Sequence, residues 1–306
     1  MKLKNYTIAV ILLGILFISG CGGQTTTTTE GYYGCFSGET SMIDAYFYEY
    51  APFSSEASPY RPGEEIDVNV ILENKMPEDL DAGKVMIRLK GDAAIESIFT
   101  GSSIVENPSL YSIDKDTCTV SDEEVELGPL LYEPELTTKI TKEIAGTYCY
   151  EHPVEVHGYL FFTEDPTEVG VNLPSGANPP SGVQVTAIEQ DPVDVSGDGQ
   201  TATLRFKVYI QNVGTGTIVD TLDDCFAYRE LGYRETLNVE VDTAYDEQDC
   251  TEEIRLSKDA QEDVITCEVT GIDPNNLGPQ SSELTVTLNG FAYEDEITGV
   301  DIWLEP

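Results

Sequence analysis

The groups with chemistry to offer in this 306-residue chain are seven cysteines, two histidines, a surplus of carboxylates and a run of tyrosines. Six cysteines, Cys35, Cys118, Cys149, Cys225, Cys250 and Cys267, form no Cys-x-x-Cys pair and no Cys/His pair at ligand spacing, which argues against a metal cluster. An even set suits disulfides in an oxidising compartment. Asp194, Ser196 and Asp198 place oxygen donors at alternate positions before Gly199, as a Ca2+ loop begins, and make Ca2+ the one cofactor the sequence offers. Arg205 stands at the twelfth position, where such a loop needs a bidentate Glu, so a plain β-turn competes with it. Tyr46, Tyr48 and Tyr50, with Phe53 and Tyr60 nearby, are expected on one face of a strand. Such a face serves as a stacking platform for sugars, an interface hot spot, or cross-strand packing. His152 and His157 flank Pro153 without a Ser or Cys partner in any catalytic motif.

Composition narrows the function classes. Lys and Arg number 16 against 56 Asp and Glu, a net charge of −40. Affinity for nucleic acid rests on clustered basic residues, and none cluster here. No nucleophile elbow, zincin motif, phosphate loop or dinucleotide fingerprint occurs. A glycosidase needs only two carboxylates, and so many acids leave such a pair unidentifiable. Two settings explain the acidity: molar salt that screens self-repulsion, or divalent cations that bridge carboxylates between neighbouring molecules.

The elements that position these groups begin with an address. Lys2 and Lys4 precede an apolar run of 11 residues, Ile8 to Ile18, and then small residues. That describes an export signal, since a membrane-spanning helix needs about 20 apolar residues. Ile18-Ser19-Gly20-Cys21 resembles the lipobox of surface lipoproteins. The resemblance implies removal of residues 1–20 and a thioether-linked lipid on Cys21, which would anchor the protein to the membrane from outside. Residues 21–30, with Thr25 to Thr29, read as a polar tether.

The remainder reads as all-β. Residues 66–74 and 204–212 share four apolar positions at period two, a polar residue and then Asn, in Asn74 and Asn212. Each is a half-buried strand running into a turn. Cys118 followed by Leu127-Gly128-Pro129 resembles Cys267 followed by Leu277-Gly278-Pro279 in the same order. A duplication follows from these matches, with β-sandwich domains over 31–174 and 183–306. The Pro- and Gly-rich stretch 175–182 divides them. Cys250 and Cys267 flank what looks like a hairpin around Lys258-Asp259-Ala260, which makes them the expected first bridge. Cys118, as the counterpart of Cys267, is a partner for Cys149. Cys35 and Cys225 are then left for an interdomain bond, an intermolecular bond, or free thiols.

Val208 to Ile218, with Asn212, Gly214 and Gly216, is similar to the strand–turn–strand hairpin of immunoglobulin-like surface domains, including CARDB and archaeal S-layer-related domains. That resemblance implies two tandem immunoglobulin-like antiparallel β-sandwiches and a noncatalytic role in adhesion or envelope structure. Surface proteins or glycans are its expected partners. A solute- or sugar-binding lipoprotein is the alternative expectation, and a secreted hydrolase the third.

Overall fold

A computed structural model describes residues 34–306 apart from 91–98, 101–104, 134–135, 228–233, 246–247, 251–252, 258–261 and 279. Cys21 and residues 1–30 lie outside the described residues. Residues 31–306 gather into one compact unit.

Every long element is a strand, as the period-two patterns predict. The first half contributes β1 (Ile43–Phe47), β2 (Glu65–Ile66), β3 (Asn69–Asn74), β4 (Val85–Lys90), β5 (Phe99–Thr100), β6 (Val105–Glu106), β7 (Asp122–Glu126), β8 (Leu130–Tyr132), β9 (Ile140–Tyr150) and β10 (Val154–Phe161). The second contributes β11 (Val183–Gln190), β12 (Asp194–Val195), β13 (Ala202–Asn212), β14 (Thr217–Val219), β15 (Arg234–Thr243), β16 (Gln248–Cys250), β17 (Glu253–Ser257), β18 (Glu262–Ile272), β19 (Ser281–Asn289) and β20 (Ala292–Leu304). Three sheets draw on one half each: β1-β3-β7, the small β2-β8-β5, and β11-β13-β18-β16 with β12 beside β13. The other two, β10-β19-β15-β17 and β14-β20-β9-β4-β6, mix strands from both sides of 175–182. Among the described residues the strands named above pair antiparallel throughout, which gives an all-β, sandwich-type architecture.

The two similar segments take similar registers. Asn74 lies opposite Ile43, and Asn212 opposite Val183. One residue earlier, Glu73 faces Asp122 and Gln211 faces Glu262. Hence β1, β3 and β7 correspond to β11, β13 and β18. In β10 and β13 buried positions recur at every second residue, so one apolar face of each strand meets a core containing Val156, Leu160, Phe206 and Val208.

Three local expectations are corrected. Residues 208–218 do not close a hairpin, because β14 leaves β13 and pairs with β20. The glycines there are not needed for positive φ. They leave room for the Tyr293 ring, since a Cβ on Gly214 would sit 2.3 Å from its hydroxyl. Residues 251–266 are not a hairpin either, because β17 pairs with β15 while β18 pairs with β13 and β16.

The third correction concerns the cysteines. Cys250 and Cys267 face each other across β16 and β18 and are bonded, with Cα atoms 4.2 Å apart. Cys118 is bonded to Cys35, and Cys149 to Cys225, in place of the expected Cys118–Cys149 bridge. Cys118 is not the counterpart of Cys267. Cys267 lies opposite Phe206, six residues before Asn212, and the position opposite Val68, six before Asn74, is Leu127.

Candidate functional site

The exposed tyrosines gather where β1 ends. Ile43 and Phe47 enter the core, so alternation turns Tyr46 outward beside Glu73. The strand then stops. Tyr48 N–H donates to the Asn69 carbonyl at 2.9 Å, Asn69 N–H to that of Ala51 at 2.9 Å, and Ala51 N–H to that of Tyr48 at 3.1 Å. Pro52, after a cis peptide, lacks the N–H that would continue pairing. The turn brings Tyr48 and Tyr50 edge to face at 5.8 Å, and Tyr50 beside Phe53 at 6.5 Å. Tyr50 is 63% exposed and Phe53 60%. Only Tyr46 belongs to a strand face, which corrects the expected three-tyrosine face.

The tip is held from below. Phe53 N–H donates to the Tyr60 hydroxyl at 3.2 Å, and burial pushes the half-buried Tyr60 phenol up. Tyr60 N–H donates to the Trp303 carbonyl at 2.9 Å, and Trp303 N–H to Ser54 Oγ at 2.7 Å. The end of β20 therefore props the loop that carries Phe53. The sequence carries no signal for this support, because Ser54 and Trp303 are 249 residues apart. Tyr46 donates its hydroxyl to Glu73 Oε1 at 2.6 Å. That bond, then burial and the nearby carboxylates, pushes its phenol up to about 12. Its proton is committed, whereas Tyr50 and Phe53 present ring faces to solvent. Exposed rings beside polar hydroxyls suit half-wet contact with an apolar or sugar-like surface.

The acidic loop has a local role. Ser196 Oγ donates to Asp198 Oδ1 at 2.6 Å, and Gly199, at φ +66°, donates its N–H to the Ser196 carbonyl at 2.8 Å. The hydrogen bond from Ser196, then that from Gln200 N–H, lowers the Asp198 carboxyl. Asp194 lies in β12 opposite Thr203, so the segment is the turn of the β12–β13 hairpin. Among the described residues, no three His, Cys, Asp or Glu side chains gather closely enough to hold a metal.

The histidines are engaged by neighbours. His157 stands 2.9 Å from Glu155 and 3.2 Å from Glu283, while His152 Nδ1 is 2.6 Å from the Pro153 carbonyl. Open clefts of about 460 to 520 Å³ lie along sheet faces and edges, beside Gln248 and Glu253, beside Gln190 and Lys207, and beside Glu106 and Glu124. No family model matches the chain, and no curated protein matches it.

Proposed function

We propose that this chain is a noncatalytic, lipid-anchored protein of the cell surface, acting in adhesion or envelope structure. In this reading its body comprises two immunoglobulin-like β-sandwiches of the CARDB and S-layer-related kind. Cys21 carries the anchor, and residues 21–30 hold the body off the membrane. The observation that supports the binding role is the exposed set Tyr48, Tyr50 and Phe53, three rings in contact on a surface otherwise rich in carboxylates. Isolated exposed aromatics are ordinary, but clustered ones mark contact surfaces. Surface proteins or glycans of the envelope are the partners this tip fits.

Cross-linking on intact cells tests the reading. The wild-type chain should capture one reproducible set of neighbours, and Tyr50→Ser/Phe53→Ser should lose it while remaining folded and surface-exposed. Unchanged capture by that variant would remove the tip from the function. Cys21→Ser should release the protein from the membrane fraction; retention there would refute the anchor.

A further inference from the structure

We propose that the chain is a fused, strand-exchanged pair, in which the edge of β9 is a strand-binding site occupied by β20 and the edge of β19 is the matching site occupied by β10. This goes beyond the binding role and does not depend on it.

The equivalence of the halves supplies the first observation. In the first half β9 has β4 on one side, and in the second β19 has β15 on one side. The strand on the other side is β20 in the first case and β10 in the second. Each closing strand is thus the one that follows the opposite half's central strand in sequence. The exchange is reciprocal.

The connections supply the second. Residues 151–153 join β9 to β10, and residues 290–291 join β19 to β20. Links of this length ordinarily fold a strand back on its predecessor. Here both continue onward. Tyr150 lies opposite Tyr293, and Val154 opposite Leu288, so the register runs on almost unbroken from one sheet into the other. Residues 140–161 and 281–304 therefore pair in continuous antiparallel order across the two sheets.

Fit along the ribbon supplies the third. A Cβ on Gly146 of β9 would sit 2.8 Å from Ile297 of β20, so the edge is shaped to that side chain. Tyr293, at the crossing, donates its hydroxyl to Asn212 at 3.1 Å and accepts the Gly216 N–H at 2.9 Å. Beyond the strand, Glu305 pairs with Arg61 at 2.7 Å. Cys149 on β9 is bonded to Cys225, near β14, which itself pairs with β20.

Glu143 and Asp301 are exposed and directly opposed on β9 and β20, which makes them a test pair. Full-length Glu143→Cys/Asp301→Cys should form a disulfide within one chain, seen as a shift that keeps monomer mobility on a non-reducing gel. A protease site placed in 175–182, in a background lacking Cys149 and Cys225, gives a second measurement. The cut halves should stay together without denaturant and separate only when unfolded. No cross-link, or halves that part spontaneously as folded species, would overturn the proposal. A cross-link between two chains would overturn it as well, since the closing strand would then come from a second copy.

Discussion

Asn74 and Asn212 occupy the same place in the two halves. Both are fully buried at the end of their strands, and each side-chain amide donates to the carbonyl four residues on, Glu78 at 2.8 Å and Gly216 at 3.1 Å. The side chain does the work of a backbone turn, so the chain leaves the strand the same way twice. Asn212 carries an extra load, because its Oδ1 accepts the Tyr293 hydroxyl.

Asn212→Ala strands at least two buried polar groups, and each costs about 1–3 kcal/mol. The variant should lose roughly 2–6 kcal/mol in denaturant unfolding at unchanged m. Asn74→Ala should also destabilise, because the Glu78 carbonyl and the Met76 N–H lose their partner. A loss below about 0.5 kcal/mol for Asn212→Ala would mean that the Tyr293 crossing does not depend on it.

The disulfides should rank by the loops they close. Cys149–Cys225 spans 76 residues and Cys250–Cys267 spans 17. Chain entropy gives about 4 and 3 kcal/mol respectively. Paired Cys→Ala variants compared by urea midpoint check the order. The reverse order would show that local packing outweighs loop closure.

Alkaline pH should unfold the protein through its buried phenols. Burial raises Tyr148, Tyr150 and Tyr293 above the ordinary tyrosine value, so the folded state keeps protons that the unfolded chain releases above about pH 10. Stability from these groups is complete below that value and is lost as pH rises past it. Three such groups give a slope of roughly 4 kcal/mol per pH unit. Denaturant melts at pH 9 and above check this. A flat profile through pH 11 would contradict the burial of the three rings.

The strands that end in Asn74 and Asn212 were legible in the sequence because burial on one face imposes period two, and a buried turn needs its amide. The choice of neighbour was not legible. In β20 the phase of burial changes between Ile297 and Ile302, across a bulge, so its pattern does not tell whether β19 or β9 lies beside it. The Leu-Gly-Pro match misled for a related reason. A Cβ on Gly128 would meet Val68 N at 2.9 Å, whereas at Gly278 the nearest atom is 3.9 Å away, so the two glycines sit in unlike places. Cys35 and Cys118 are 83 residues apart, and only the folded sheets bring them together. At the tip, Tyr46, Tyr48 and Tyr50 have strand spacing, but the backbone bonds of Tyr48 and Ala51 turn the chain before the pattern is used.

One scanning calorimetry experiment on the full chain bears on all of this. Sheets that share β10 and β20 across the two halves must melt as a unit, giving a single transition whose calorimetric and van't Hoff enthalpies agree. Two resolved transitions, each with the enthalpy of about half the chain, would show that residues 31–174 and 183–306 fold separately and that the common ribbon does not exist.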